Sequence, residues 1–247
     1  MFTSKELLCA DLPDVRVGIG RGSDCGNVER SVRGMEGRDV VIYDDPEEFM
    51  DDFMSGEIDA AIRGDMSSSK LLPILKEKTG IKNLERVAFM EPIDSKMFIL
   101  APVGIDEGWT PDQKYDMAVR SVELARKVGM GSRIAIMSGG RCEDVGRYKV
   151  VDDSIENAMN LVKRLVDDGY NAYHSQILLE NAVREADIII APEGIIGNII
   201  FRSLHFVGGA EALGAPVVNM DRVFVDTSRA KYDYRDSIAL AMLLTEE

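Results

Sequence analysis

Short runs of apolar, largely β-branched residues alternate along this chain with longer segments whose apolar positions recur every three to four residues. That alternation is the pattern of an α/β protein with a largely parallel sheet. The runs Val15–Ile19, Val40–Tyr43, Ala60–Ile62, Met97–Ala101, Arg133–Met137, Ile188–Ala191 and Pro216–Asn219 predict strands. Helical spacing predicts helices over Pro46–Met54, Ser69–Lys78, Pro111–Val128, Ser154–Asp168 and Asp236–Leu244. The helix at Pro111 carries the fullest set of signals. Thr110 can accept from its first free N–H groups, proline suits the first helical position, and Gly129 follows its end. Ser154 is expected to cap the next helix, which stops before Gly169. No internal repeat or low-complexity segment is visible, and a boundary is expected near Gly129–Ser132, giving parts 1–129 and 130–225.

In open α/β sheets ligands collect at the carboxyl ends of strands, so the loops there carry the candidate chemistry. The first holds Gly18, Gly20, Arg21, Gly22 and Ser23, then Cys25 and Gly26, with Asp44-Asp45 closing the second strand. A nucleotide or S-adenosylmethionine loop would use such glycines and such an acid, yet the last glycine of G-x-G-x-x-G is replaced by Ser23. A tight strand-to-helix turn explains the same residues. The third loop, Arg63-Gly64-Asp65-Met66-Ser67-Ser68-Ser69-Lys70, places three hydroxyls and two basic residues at a helix start. It reads equally well as an anion cradle or as a serine cap beside a solvated lysine. The loop Ser138–Arg147 adds Gly139, Gly140 and Arg141, with Glu143 and Asp144 available as local ion-pair partners. Cys142 is a candidate nucleophile there, although His174 and His205 are the only histidines and neither is close in sequence. Glu193, Gly197 and Asn198 stand between apolar segments at a further strand-to-helix turn, where packing alone does not ask for polar groups.

Composition narrows the classes. With 29 Lys+Arg against 43 Asp+Glu the net charge is −14, and no run of five basic residues exists, so nucleic acid is a poor partner. No window approaches the roughly 18 apolar residues needed to span a bilayer. No secretory signal is read at the N-terminus, and three scattered cysteines, Cys9, Cys25 and Cys142, form neither a disulfide framework nor a zinc knuckle. A cytoplasmic setting, no metal and no tightly bound cofactor are the expectations.

The segment Ala186–Arg202 with Gly208-Gly209-Ala210 resembles the A-D-x-x-x-x-P-x-x-x-x-G-N-x-x-x-K…G-G-A signature of the phosphate acetyl- and butyryltransferases. Thr227-Ser228-Arg229 and Ser237–Ala241 continue the resemblance, and Asp59–Pro73 and Phe98–Met137 are similar to earlier family segments. The resemblance implies a phosphotransacetylase-like fold of the isocitrate/isopropylmalate-dehydrogenase type: two α/β lobes with largely parallel sheets around a cleft, the last helix (about 226–247) returning to the first lobe. It implies a homodimer and a small anionic metabolite, with coenzyme A or an acyl phosphate as substrate. Ser228 and Arg229 would bind the phosphoryl group, with Ser67, Ser68 and Arg63 in the first-lobe loop and Asn198 and Gly197 in the cleft wall. Asp236 would take the thiol proton, with Asp233 in competition. The family's arginine falls at Leu72 or Pro73, so a phosphate ligand is missing unless Lys70 replaces it.

The pattern Ile136–Arg147 resembles a divergent archaeal branch, methanogenesis marker protein 4, related to the methyltransferase subunit X proteins. Three functions are expected from these resemblances: a divergent phosphate acyltransferase-like transferase acting on a phosphorylated or coenzyme A-linked molecule, a methanogenesis-associated methyltransferase-related protein, and a non-catalytic binding or assembly protein that keeps the cleft.

Overall fold

The structure, a computed structural model, describes residues 3–22, 26–229 and 231–246; Ser23 and Cys25 of the first loop lie outside the described residues. In chain order the first half runs α1 (Ser4–Leu8), β1 (Val17–Gly20), α2 (Asn27–Arg33), β2 (Val40–Tyr43), α3 (Pro46–Ser55), β3 (Ala60–Ile62), α4 (Ser68–Thr79), β4 (Ala88–Glu91), β5 (Phe98–Ala101) and α5 (Pro111–Lys127). The second half runs β6 (Ile134–Met137), α6 (Lys149–Asp167), β7 (Ala172–Gln176), α7 (Leu179–Glu185), β8 (Ile188–Ile190), α8 (Gly194–Arg202), β9 (Glu211–Pro216), β10 (Val223–Asp226) and α9 (Arg235–Leu244). This is a mixed α/β fold with mostly parallel strands.

The strongest local signals form as read. Thr110 Oγ1 accepts from Gln113 N while Gln113 Oε1 accepts from Thr110 N, and Pro111 opens α5. The helix expected over Pro46–Met54 also forms; Asp45, read from the sequence only as a strand-end acid, caps it by accepting from Glu47 N and Glu48 N at 2.9 Å, and α3 ends at Gly56 with φ 87°. Two expectations need correction. The helix expected from Ser154 begins at Lys149, because the Ser154 hydroxyl accepts from Gly139 N at 2.8 Å instead of capping its own helix. The strand expected at Pro216–Asn219 is the end of β9, and β10 lies beyond a turn.

The chain divides into two compact units, a continuous one spanning residues 85–211 and a discontinuous one made of residues up to 84 together with 212 onward. The division therefore falls near residue 84, not near Gly129. The reason is strand pairing: β5 lies parallel to β8, with Ile99 opposite Ile188, and α5 packs on both strands. Residues 85–129 thus complete the sheet to which β6, β7 and β8 belong.

In the discontinuous unit the strand order is β2-β1-β3-β10-β9, with β9 alone antiparallel to its neighbour. Phe49, Met50 and Phe53 of α3 and Leu71 and Leu75 of α4 close one core with Tyr43, Ile58 and Phe224. Each such side chain contributes about 1.5–3 kcal/mol on burial. Ile238–Leu244 of α9 are buried, and the helix packs on β1, β3, β10 and α1. In the continuous unit the order is β4-β5-β8-β6-β7, parallel except for β4.

Candidate functional site

Because β1, β3 and β10 run parallel side by side, their carboxyl-end loops emerge together within the discontinuous unit. The pairing of β3 with β10 sets Ile62 opposite Val225, and it continues through side chains for two residues. Arg63 forms an ion pair with Asp226 through Nε and donates from NH1 to Met66 O at 2.8 Å, while Thr227 Oγ1 donates to Gly64 O at 2.8 Å. Gly64 has φ 62°, and a Cβ there would stand 2.0 Å from Gly20 O, so only glycine lets this loop lie against β1. Asp65, buried, accepts from Gly22 N at 2.6 Å and ties in the first loop.

The loop from β3 ends in α4. Ser67 sits at the cap position without a side-chain cap bond; its Oγ meets Ser69 Oγ at 2.8 Å. The first-turn N–H groups of Ser68 and Ser69 therefore point out of the helix, with no acidic residue in that turn and with Lys70 exposed beside them. By contrast α3, α5 and α8 each have a side-chain cap.

Beyond Thr227, Ser228 is half-buried and Arg229 exposed. The buried Tyr234 hydroxyl donates to Ser228 O at 3.0 Å and fixes the loop. Lys231, only 8% exposed, donates to Ala212 O at 2.7 Å and to Asp236 Oδ2 at 2.8 Å. Asp236 Oδ1 accepts from Ser237 N at 2.6 Å. Burial pushes the Asp236 carboxyl above the usual carboxylate range, against the pull of Lys231. Asp233 goes the other way, held low by its hydrogen bonds to Arg235. The two acids that the sequence leaves in competition thus have opposite environments: Asp236 is buried and pushed up, whereas Asp233 is held low by its arginine. Sequence reasoning missed Lys231. Its only trace is a lysine five residues before Asp236, a spacing that straddles a helix start and matches no helical periodicity.

Arg63 is held by Asp226 and Met66, so it shapes the site from below and does not face solvent. In the first loop Arg21 donates to both Asp44 oxygens, at 2.6 and 2.5 Å, and to Glu29 at 2.7 Å. Asp44, placed like a ribose-binding acid, is therefore engaged by an arginine. A Cβ on Gly18 would lie 2.5 Å from Ile58 Cδ1, so packing accounts for that glycine.

The remaining candidate residues lie in the continuous unit. Glu193 caps α8, accepting from Ile195 N at 2.6 Å, and Asn198 Nδ2 donates to Val103 O at 2.8 Å. A Cβ on Gly197 would come within 1.9 Å of Pro102 O. These residues clamp α8 onto the chain after β5. In the loop after β6, Gly139 N donates to Ser154, Arg141 N donates to Asp144 Oδ2 at 2.8 Å, and the Arg141 side chain is exposed, 3.9 Å from Glu143. Gly140 packs toward Val151. Among the described residues no group of three His, Cys, Asp or Glu side chains is placed to hold a metal, and no helix is long and apolar enough to cross a membrane.

This architecture is that of the phosphotransacetylases. A branched-chain phosphotransacylase from Enterococcus faecalis superposes with a TM-score of 0.70 at 18% identity, covering 94% of this chain and 100% of the other. The EutD phosphotransacetylase from Staphylococcus aureus does so with a TM-score of 0.72 at 14% identity, covering 98% of each. In sequence, a Methanosarcina barkeri protein with the provisional name methyltransferase mtx subunit X is 43% identical over 208 residues, 84% of this chain and 77% of the relative. The chain belongs to the mtx subunit X family. No family model matches it.

Proposed function

We propose that the protein is a divergent phosphate acyltransferase-like transferase that takes a phosphorylated or coenzyme A-linked small molecule at the carboxyl ends of β3 and β10. The observation that carries this reading is the lateral lock between Arg63-Gly64 and Asp226-Thr227, which ties the loop leading into the uncapped start of α4 to the loop leading into Ser228-Arg229. In this reading the N–H groups of Ser68 and Ser69, with Lys70 and Arg229, neutralise charge on a phosphoryl group. Lys70 takes the place of the family's missing arginine, and Asp236 accepts the thiol proton. Phosphate-dependent cleavage of acyl-coenzyme A tests it. Arg229→Ala should lower turnover by about a hundredfold or more, whereas Asp236→Asn should lose turnover while phosphate affinity, read by calorimetry, stays. No cleavage of acetyl, propionyl or butyryl donors would sink the acyl-transfer reading.

The name of the Methanosarcina relative favours a second reading, a methyltransferase-related role. S-adenosylmethionine binding by calorimetry would support it, but Asp44 is already held by Arg21 and Gly18 answers to packing, so the first loop offers that cofactor little. We also infer a cytoplasmic homodimer. Ile195 and Ile199, one turn apart on α8, are 46% and 54% exposed, and Phe206 and Val207 extend that apolar surface. Ile199→Asp should shift the sedimentation of the protein from dimer to monomer; an unchanged species would remove α8 from the interface.

A further inference from the structure

Within the continuous unit, the loop after β6 brings a thiol and an imidazole together. Cys142, exposed, has its Sγ 3.9 Å from His174 Nδ1, and Ser138 Oγ lies 2.8 Å from His174 Nε2. The tautomer is set by the third partner. The Ser138 hydroxyl donates its single proton to Gly140 O at 2.9 Å, a carbonyl that can only accept. Ser138 Oγ must then accept from His174, which places the ring proton on Nε2 and leaves the Nδ1 lone pair facing the thiol. Burial holds the imidazole below the usual histidine range, so at neutral pH the ring is neutral and its Nδ1 carries a lone pair.

The backbone around the pair is built to hold it. Between His174 and Gln176 the register of β7 against β6 slips by one residue, and Gln176 adopts φ 59°. Bulges re-aim side chains, and a non-glycine residue in the left-handed region persists only where its surroundings enforce it. Here the Gln176 amide oxygen accepts from Cys142 N at 2.9 Å and fixes the residue that carries the thiol.

We propose that Cys142 is a base-assisted nucleophile that accepts an acyl group from a small activated ester or thioester, with His174 as its base and Ser138 orienting the ring. The thiol proton passes to Nδ1 of His174, Sγ bonds to the carbonyl carbon, and the leaving group departs with the electron pair of its broken bond. His174 then returns its proton to the leaving group or to water. This nucleophile–base–orienter arrangement is the general logic of activated thiols. It uses residues of the continuous unit alone and stands apart from the anion-site reading.

The probe is p-nitrophenyl acetate, with release of nitrophenolate followed by absorbance and acetylated peptides assigned by mass. Cys9, also exposed, is the internal standard in the same molecule. Cys142 should be acetylated at least about tenfold faster than Cys9, short of the larger gains of optimised enzyme bases because the Sγ–Nδ1 contact is long. His174→Gln should bring Cys142 down to the rate of Cys9. Equal labelling of Cys9 and Cys142 in the unaltered protein overturns the assignment without any variant. A full Cys142 rate retained in His174→Gln overturns it as well.

Discussion

Arg21 stands between Asp44 and Glu29, and both carboxyls are held below their usual range by its hydrogen bonds. A carboxylate whose folded-state pKa is depressed contributes stability that is present above its unfolded value and lost as pH falls through the folded one. Arg21→Ala should therefore be less stable than the unaltered protein at neutral pH, and the gap should close below about pH 4. Urea unfolding at pH 7 and at pH 3 checks this; a gap of equal size at both would show that Arg21 acts by packing. The same residues show where residue-scale reading of the sequence stops. Asp44 at the end of the second strand fits a ribose-binding acid in spacing, and only the fold reveals that Arg21 reaches it first. Arg63 is similar. Its charge marks it as an anion ligand, but Asp226, its partner, is 163 positions away. By contrast, Ser67–Lys70 were legible as a helix start, because that chemistry is local.

At the scale of elements, the resemblance to the acyltransferases rested most heavily on Ala186–Arg202, and the structure gives those residues an architectural task. Glu193 caps α8, Asn198 reaches Val103 O, and Gly197 lets the helix lie against Pro102 O. A signature can thus report a fold with certainty while leaving chemistry open, since what it preserves here is how α8 docks after β5. Gly197→Ala should cost about 1–3 kcal/mol, the range for forcing extra volume into a close-packed contact. A lower urea midpoint with an unchanged slope would confirm it, and an unchanged midpoint would mean that α8 shifts freely. Elements with caps next to them in sequence, α3 and α5, were readable to within a residue. The start of α6 was not, because Ser154, a good cap by type, is drawn away by Gly139 from the preceding loop. Pairing between distant segments, which sets β9, β10 and the unit boundary, leaves no local periodicity to read.

For the whole molecule, connectivity makes the two units unequal. The continuous unit contains, within residues 85–211, every strand of β4-β5-β8-β6-β7 and the helices α5 to α8. The discontinuous unit needs both ends of its chain. Without residues 212–246, β3 loses the pairing of Ala60–Ile62 with Val223–Val225, and the core loses Phe224 and the buried length of α9. An exposed parallel strand edge and an uncovered apolar surface are then left together, a combination that favours aggregation over folding. A fragment of residues 85–211 should accordingly fold alone, with a cooperative urea transition by circular dichroism. A fragment of residues 3–84 should not, and adding residues 212–246 through a short linker should restore a transition. The anion-site loops carry the same dependence, since the Arg63–Asp226 and Gly64–Thr227 locks join the two chain segments. Phosphate binding should therefore appear in the linked fragment and be missing from residues 3–84. A cooperative transition in residues 3–84 alone would show that β1, β2 and β3 with α3 and α4 form a core sufficient without the returning segment.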